Sequence, residues 1–575
     1  MRRTEEVRCD AAARAATVLC VAISLLLASG QALAQKAIAA AGSKLPVKPE
    51  IRITAQDVTA DRVGTSIPVS AIGEPVSAVK LNPPKWTDGP NGGYATVDGQ
   101  ILPIDPNAPA INFQVLLPAS WNRRAAQLGG GGWNGTVPRL NGTELNEGAV
   151  TYGSDSGHQA RGGNDWTLNE EAVKNLAYMQ MKKTHDAAMV IVKRVYGEPP
   201  RFNYYFGSSQ GGREGLMVIQ RYPEDYDGIA IHVPVVSLSS LALAPIAVRI
   251  QEKPQANWVT PAKANAIRAE FLRQTDQLDG IEDGIIANYM AARAIFDLSQ
   301  GDPERDPWKA LRAPGGVDPD PADTSVNARL TDGQIRTLQF EYSKYRYATP
   351  LADGVKSFGM WLPTVDPIGS NLIRNQRYRG QEGAPDSAPL YTHAGSAPFM
   401  GMVIGNLSAN PLDYVEGGKW DKRRKEVSAW LDATDPDLSA FYKRGGKMLV
   451  TIGSQDMLAS PGAQIDYYQS VLDTMGRRKV DAFARLFVMP QVGHGLSGRT
   501  ADINGAGQNI QVTPIPNQWD EHGTLFAWVE RNEAPGKSVM VSAAGRGMPL
   551  CSYPQYPRFK GGDAASASSY ACASP

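Results

Sequence analysis

Apolar and polar positions along this chain fall into two rhythms whose order predicts its architecture. "INFQVLLP" (111–118) and "AAQLGGGG" (125–132) are the short, dense apolar runs of buried strands, the second ending in glycines. "EEAVKNLAYMQMKKTHDAAMVIVKRVYG" (170–197) carries apolar residues at helical spacing and stops at Gly197. A strand "FNYYF" follows, then a glycine-rich turn, a helix through "GREGLMVIQRYP" and another apolar run, "YDGIAIHVPVV" (226–236). From about 240 to 435 the pattern is irregular and rich in Pro, Asp, Gly and Trp, with helical pieces at 261–273 and 331–346. Regular patterning returns with "GGKMLVTIGSQD" (445–456), a helix through "PGAQIDYYQSVLDTMG", the strand "FARLFVMP" and a helix near 519–532. Residues 35–105 read as short strands and loops. Strand, turn, helix and strand, interrupted once at length, predict an α/β sheet into which a second domain is inserted. The expected parts are a leader at 1–34, a core at 35–238 and 436–575, and an insertion at 239–435.

The turn after "FNYYF" brings in chemistry. Gly207-x-Ser209-x-Gly211 sits where a strand hands over to a helix. In so tight a turn, side chains larger than hydrogen would clash, and the serine is pushed out over the sheet edge at the helix N-terminus. A serine hydroxyl is a poor nucleophile without a base. Of six histidines, His158, His185, His232 and His393 read as ordinary hydrogen-bonded residues, and His522 sits in a late helix. His494 lies directly after a strand among glycines, in "MPQVGHGLSG", and Asp456 follows a strand in "VTIGSQDMLASP". Ser209, Asp456, His494 is the chain order of an α/β-hydrolase triad. The run "GGGGW" (129–133) offers backbone N–H groups to a tetrahedral oxyanion. Gly132 is the expected donor, Gly131 the next choice, and Gln210 N–H the second member of the pair.

Composition narrows the setting. Lys+Arg and Asp+Glu both number 58, so no global field favours nucleic acid or an anionic membrane. The N-terminus joins a polar, net basic stretch, the short apolar run "TVLCVAISLLLA" and "ALA" ending at Ala34, which predicts a secretory signal peptide cleaved there and a secreted or periplasmic product. Leu19 before Cys20 argues against a lipoprotein acceptor. Of four cysteines, Cys551 and Cys572 remain in the mature chain. A disulfide between them would suit an oxidising compartment.

"DQLDGIEDGII" (276–286) crowds Asp276, Asp279 and Asp283 into eight residues. Such a cluster repels itself unless a cation or solvent offsets it, and oxygen-only ligands suit Ca²⁺. The spacing is not that of an EF-hand, whose bidentate Glu would fall on Ala287. A solvated acidic loop is the alternative.

Together, "GGGGWNG", "GSDSGH", "YYFGSSQGGREGLMVIQRYPEDYDGI", "DQLDGIEDGII", "GSQDMLASPGAQIDYYQSV", "GHG" and the tail "PLCSYPQYPRFKGGD" resemble the tannase/feruloyl esterase family, which also contains mono(2-hydroxyethyl) terephthalate hydrolase. The resemblance covers nearly all of the mature chain. It implies an α/β-hydrolase core with the insertion as a large lid. It also implies a structural Ca²⁺ held by the side chains of Asp276, Asp279 and Asp283 and the backbone carbonyls of Ile281 and Ile285. Family members typically carry a disulfide between cysteines beside the nucleophile and beside the catalytic histidine; here those positions are Ser208 and Gly495, and the cysteine that often precedes the aspartate loop is Thr275. Hydrogen bonds and packing are therefore expected to hold the His494 loop.

The expected activity is hydrolysis of carboxylic esters of aromatic acids, feruloyl- or galloyl-like, through an acyl-enzyme, with aromatics such as Trp361 and Tyr391 lining a flat pocket. A terephthalate-monoester hydrolase, or a hydrolase of aliphatic or hydroxyalkanoate esters, is the alternative. A small-molecule ester is the expected partner, with no nucleic acid and no membrane after signal cleavage.

Overall fold

A computed structural model describes residues 50–299, 305–364, 376–393 and 395–575. The predicted leader at 1–34 lies outside them. One compact unit holds Glu50–Val529 and Ala534–Pro575; Glu530–Glu533 are grouped apart from it with the first 49 residues, and within that short stretch Arg531 pairs with Glu533 at 2.9 Å.

Eleven strands form the main sheet: β1 (Ser66–Ile67), β2 (Ala78–Leu81), β3 (Lys85–Thr87), β4 (Tyr94–Leu102), β5 (Ile111–Pro118), β6 (Arg124–Leu128), β7 (Val150–Ser154), β8 (Phe202–Ser208), β9 (Gly228–His232), β10 (Lys447–Gly453) and β11 (Ala484–Met489). Their order is β11-β10-β9-β8-β6-β7-β5-β4-β2-β1, with β3 also on β4. The block from β7 to β11 is parallel and the remainder antiparallel. Parallel strands are covered on both faces, so both sets of alternating side chains must be apolar. Tyr205, Ile229, Ile231, Val450, Ile452, Leu486 and Val488 point to one core. Tyr204, Phe206, Ala230, Leu449, Phe487 and Met489 point to the other.

The helices that matter for the site are α1 (Gln180–Tyr196), α2 (Gln210–Arg221), α3 (Leu238–Gln251), α4 (Ala264–Thr275), α5 (Asp332–Tyr342), α6 (Asp421–Leu431), α7 (Pro461–Met475) and α8 (Glu521–Arg531). The helix expected over 170–197 is not uniform: Glu170–Lys174 and α1 are separated by a π-helical turn at Asn175–Met179. The helix expected over 331–346 stops at Tyr342, and Tyr345–Arg346 instead pairs as a strand with Ser357–Phe358.

Between His232, where β9 ends, and Lys447, where the adjacent parallel strand β10 begins, the chain makes one long excursion that contributes no strand to the main sheet among the described residues. The segment 239–435 lies inside this span. Phe271, Trp308, Leu338 and Trp361 share a continuous hydrophobic cluster with Leu216, Ile229 and Val450 of the sheet layer. At the C-terminus two hairpins follow α8, and Cys551 is bonded to Cys572 across a Cα separation of 5.7 Å.

Candidate active site

The parallel strands end in register at one edge. Ser208 is level with His232, His232 with Thr451, and Thr451 with Phe487. Ser209 follows the first of these strands by one residue, Asp456 follows β10 by three and His494 follows β11 by five. The fold thus carries three side chains distant in sequence to the C-terminal ends of three strands.

Ser209 holds φ 61°, ψ −116°, a left-handed backbone that L-residues avoid, at the start of α2. Its N–H donates to His232 O (2.9 Å) and its carbonyl accepts from Val235 N (3.2 Å) and Arg213 N (3.0 Å). The flanking glycines are required by close approach. A Cβ on Gly207 would lie 2.4 Å from Gly211 O, and one on Gly211 would lie 2.8 Å from Gly130 O. The same contact brings the glycine run against the serine turn, since a Cβ on Gly129 would meet Gly211 Cα at 2.6 Å. Among the described residues no hydrogen bond joins the Ser209 hydroxyl to the imidazole of His494.

Asp456 is fully buried, and both its carboxylate oxygens lie 3.0 Å from His494 Nδ1. Leu458 N–H and Ala459 N–H also donate to Oδ1, at 2.8 and 2.9 Å. A buried carboxylate with three donors is fixed in place. It accepts a hydrogen bond from His494 Nδ1–H, which keeps the proton on Nδ1 and leaves Nε2 as the basic nitrogen. The arrangement is suited to removing a proton from a hydroxyl and returning it to a leaving group.

Gly131 and Gly132 are exposed, and a Cβ on either would meet nothing within 4 Å. Gln210 is the first residue of α2, where the N–H has no intrahelical acceptor. Gly130 N–H is already committed, donating to Glu214 Oε2 at 3.2 Å.

Glu214 is a residue that motif reading misses. It is buried on α2 and accepts from Tyr205 OH (2.8 Å), Gln180 Nε2 (3.2 Å), Gly130 N and Asn134 Nδ2. Burial pushes its carboxyl above the usual range, against the opposing Arg213 charge. Beside it, fully buried Arg213 donates to Gln210 Oε1 (2.8 Å), to Leu176 O and Ala177 O in the π-helical turn (2.9 and 2.7 Å), and to Leu431 O at the end of α6 (3.1 Å). The pair ties the glycine run, the serine helix and the insertion together. Its only sequence signal is "GGREG" (211–215), which begins two residues beyond the serine.

Trp133, next to the glycine run, lies 6.4 Å from Trp166, which stacks on His158 at 4.1 Å. Burial drops the His158 pKa to about 4. Phe399, Met400 and Val403 of the insertion pack on this group. Trp361 and Tyr391, expected to face a substrate, are instead buried at 1% and 2% exposure, because both are packed into hydrophobic clusters rather than presented to a cleft.

In the aspartate loop, Asp276 accepts from Gly284 N (3.0 Å), Asp279 from Ala287 N (2.8 Å) and Ile281 N (3.3 Å), and Asp283 from Ile285 N (3.1 Å). No basic side chain forms an ion pair with any of them among the described residues. Burial drives their carboxyls up, to about 7, 8 and 6 respectively. The carbonyls of Ile281 and Ile285 accept no hydrogen bond among the described residues. This all-oxygen, cation-deficient donor set fits a hard divalent ion. The aspartate oxygens do not, however, all lie within 4.8 Å of one another; among the described residues the one group that does is His185, Asp186 and Asp225, where Lys182 Nζ already pairs with both aspartates, at 2.8 and 2.9 Å.

The family model for tannase and feruloyl esterase matches residues 95–573. The chain belongs to the tannase and feruloyl esterase family. It is 34% identical to an uncharacterized esterase of Agrobacterium fabrum, over 88% of this chain and 92% of that protein. It is 28% identical to the mono(2-hydroxyethyl) terephthalate hydrolase of Piscinibacter sakaiensis, over 81% and 82% of the two chains. The crystal structure of feruloyl esterase B from Aspergillus oryzae superimposes with a TM-score of 0.65 at 22% identity, covering 88% of this chain and 98% of that one. The protein is thus a carboxylic ester hydrolase with an α/β-hydrolase fold. No helix among the described residues is long and apolar enough to cross a membrane.

Proposed function

We propose that this family member hydrolyses esters of aromatic carboxylic acids through a Ser209 acyl-enzyme. The observation that carries this reading is the left-handed Ser209 turn at the same sheet edge as the His494–Asp456 pair. His494 Nε2 takes the hydroxyl proton as Oγ attacks the ester carbonyl, and Asp456 holds the imidazolium. Gln210 N–H and the Gly131–Gly132 run receive the oxyanion, with Gly132 the preferred donor. The proton passes to the departing alcohol, and water, activated by the same histidine, releases the acid.

The aromatic acid class is supported by what the relatives are called, a terephthalate monoester hydrolase and feruloyl esterases, and by the aromatic cluster of Trp133, Trp166 and His158 next to the glycine run. Terephthalate monoesters are the second reading, favoured by the likeness across four-fifths of both chains. The aspartate loop would hold a structural Ca²⁺ through Asp276, Asp279, Asp283 and the carbonyls of Ile281 and Ile285; the ion would neutralise the buried carboxylates and take no part in the reaction. The product is exported, with cleavage after Ala34.

A panel of feruloyl, galloyl, terephthaloyl and acetyl esters, assayed by released acid with wild type and Ser209→Ala, tests the reading. Turnover of the aryl esters well above acetate and loss of all turnover in the variant are expected. Activity retained in Ser209→Ala would overturn the mechanism, and a preference for acetate would overturn the substrate class.

A further inference from the structure

We infer that Gln491 is a positioning residue for catalysis, transmitting the conformation of the aspartate loop to the His494–Asp456 pair. The inference rests on the Ser209–Asp456–His494 reading. Gln491 is 2% exposed and holds φ 57°, a left-handed backbone at a non-glycine residue, three positions before His494. Its surroundings over-determine that backbone. The N–H donates to Ser454 Oγ at 2.9 Å, and the side-chain amide is bonded at both ends. Nε2 donates to Gly284 O at 2.8 Å, while Oε1 accepts from Gln455 Nε2 at 2.7 Å and from Ile286 N at 3.3 Å.

Each of these partners lies on one side of a junction. Gly284 and Ile286 belong to the aspartate loop, and Gly284 N–H is held by the Asp276 carboxylate. Ser454 and Gln455 lead directly into Asp456, and Gln455 N–H donates to Val492 O at 3.0 Å, two residues before His494. Gly284 O also accepts from Ala501 N at 3.0 Å, beyond the His494 turn. A continuous path therefore runs from Asp276 through Gly284 and the Gln491 amide to the loops that carry acid and base. Only a primary amide of this length offers two acceptor sites and a donor in that arrangement. A carboxylate at the same place would set an acceptor against Gly284 O, and a hydrocarbon would take the acceptor from Gln455 Nε2 and Ile286 N–H and leave Gly284 O with Ala501 N–H alone. Beside the nucleophile and the base, Ser208 and Gly495 are both exposed, and a Cβ on Gly495 would meet only Ser497 Oγ, at 3.8 Å. The Gln491 network is what fixes the loop from below.

The test compares Gln491→Glu and Gln491→Leu with wild type on one aryl ester. The expected result is a fall in kcat of at least tenfold with KM within twofold. Binding coupling is reciprocal, which gives a readout independent of turnover. Labelling Ser209 with a fluorophosphonate should slow hydrogen exchange of the amides at 284–287 in wild type and not in Gln491→Glu. If the Gln491 variants fail to fold, Gln455→Leu cuts the same path from the half-exposed catalytic side and should give the same split. Wild-type kinetics in a folded variant, or exchange at 284–287 indifferent to Ser209 labelling in wild type, would overturn the inference. An active Ser209→Ala protein would instead overturn the underlying reading.

Discussion

His494 Nδ1 stands 3.0 Å from each carboxylate oxygen of Asp456, and that carboxylate has no exposure to solvent. The acid is therefore spent on orienting the ring, with two backbone N–H groups holding it in the required rotamer.

This relationship sets the first expectation. Asp456→Asn keeps the shape but presents an amide N–H to Nδ1 or forces the other tautomer, with the proton on Nε2. The value of kcat should fall by about four orders of magnitude while KM changes little. Steady-state kinetics on an aryl ester check it, with the rate of fluorophosphonate labelling as a second measure. A loss under tenfold would mean that Asp456 is not the orienting group.

Glu214 makes a different claim, since it touches no substrate. Gln in its place faces four donors with an amide that can accept from only some of them. The Gly130 and Asn134 contacts weaken, and the glycine run loses its anchor. We expect kcat to drop roughly tenfold to a hundredfold, as for a displaced oxyanion donor, with little change in KM. An equal loss on substrates with very different leaving groups would support an oxyanion role. A pure KM effect would contradict it.

The sheet-edge positions of Ser209, Asp456 and His494 were legible because they depend on local signals: glycines around a serine, and a polar residue directly after an apolar run. The expected strands end within a few residues of where they are found, as at Phe202–Ser208 and Lys447–Gly453. What supports the triad was not legible. Gln491 and Glu214 act through partners far away in the sequence, Gly284 and Gly130, and a glutamine at φ 57° has no sequence signature. Irregular composition marks the insertion at 239–435, but it does not report that Trp308 and Trp361 share a hydrophobic cluster with residues of the sheet layer.

His232 and Glu521 give a pH-dependent contribution to stability at the same edge. Burial disfavours the charged imidazole, but the Glu521 carboxylate outweighs it and raises the pKa above 6.5. A raised histidine stabilises the fold fully below its unfolded pKa, and that stabilisation is lost as pH rises through the folded value. The melting temperature should therefore decline as pH rises from about 6.5, and Glu521→Gln should flatten this part of the profile. Because His232 O holds Ser209 N–H, the same variant is expected to slow turnover modestly.

The aspartate loop supplies the last test, and its sign is opposite in the presence and absence of a cation. Without one, carboxyls raised to about 7, 8 and 6 favour the folded state when protonated, so their contribution is lost as pH rises through that range. Calcium takes the place of the protons and binds best where they are gone. The stabilisation on adding Ca²⁺ after EGTA treatment should be small at pH 5 and large at pH 8. It should reach about 2.7 kcal/mol at a hundredfold excess over Kd. Asp279→Asn should abolish that increment at pH 8 and leave the unfolding transition insensitive to EGTA. Thermal unfolding at the two pH values, with and without the ion, measures both. If Ca²⁺ raises the melting temperature equally in wild type and Asp279→Asn, the ion binds somewhere other than this loop.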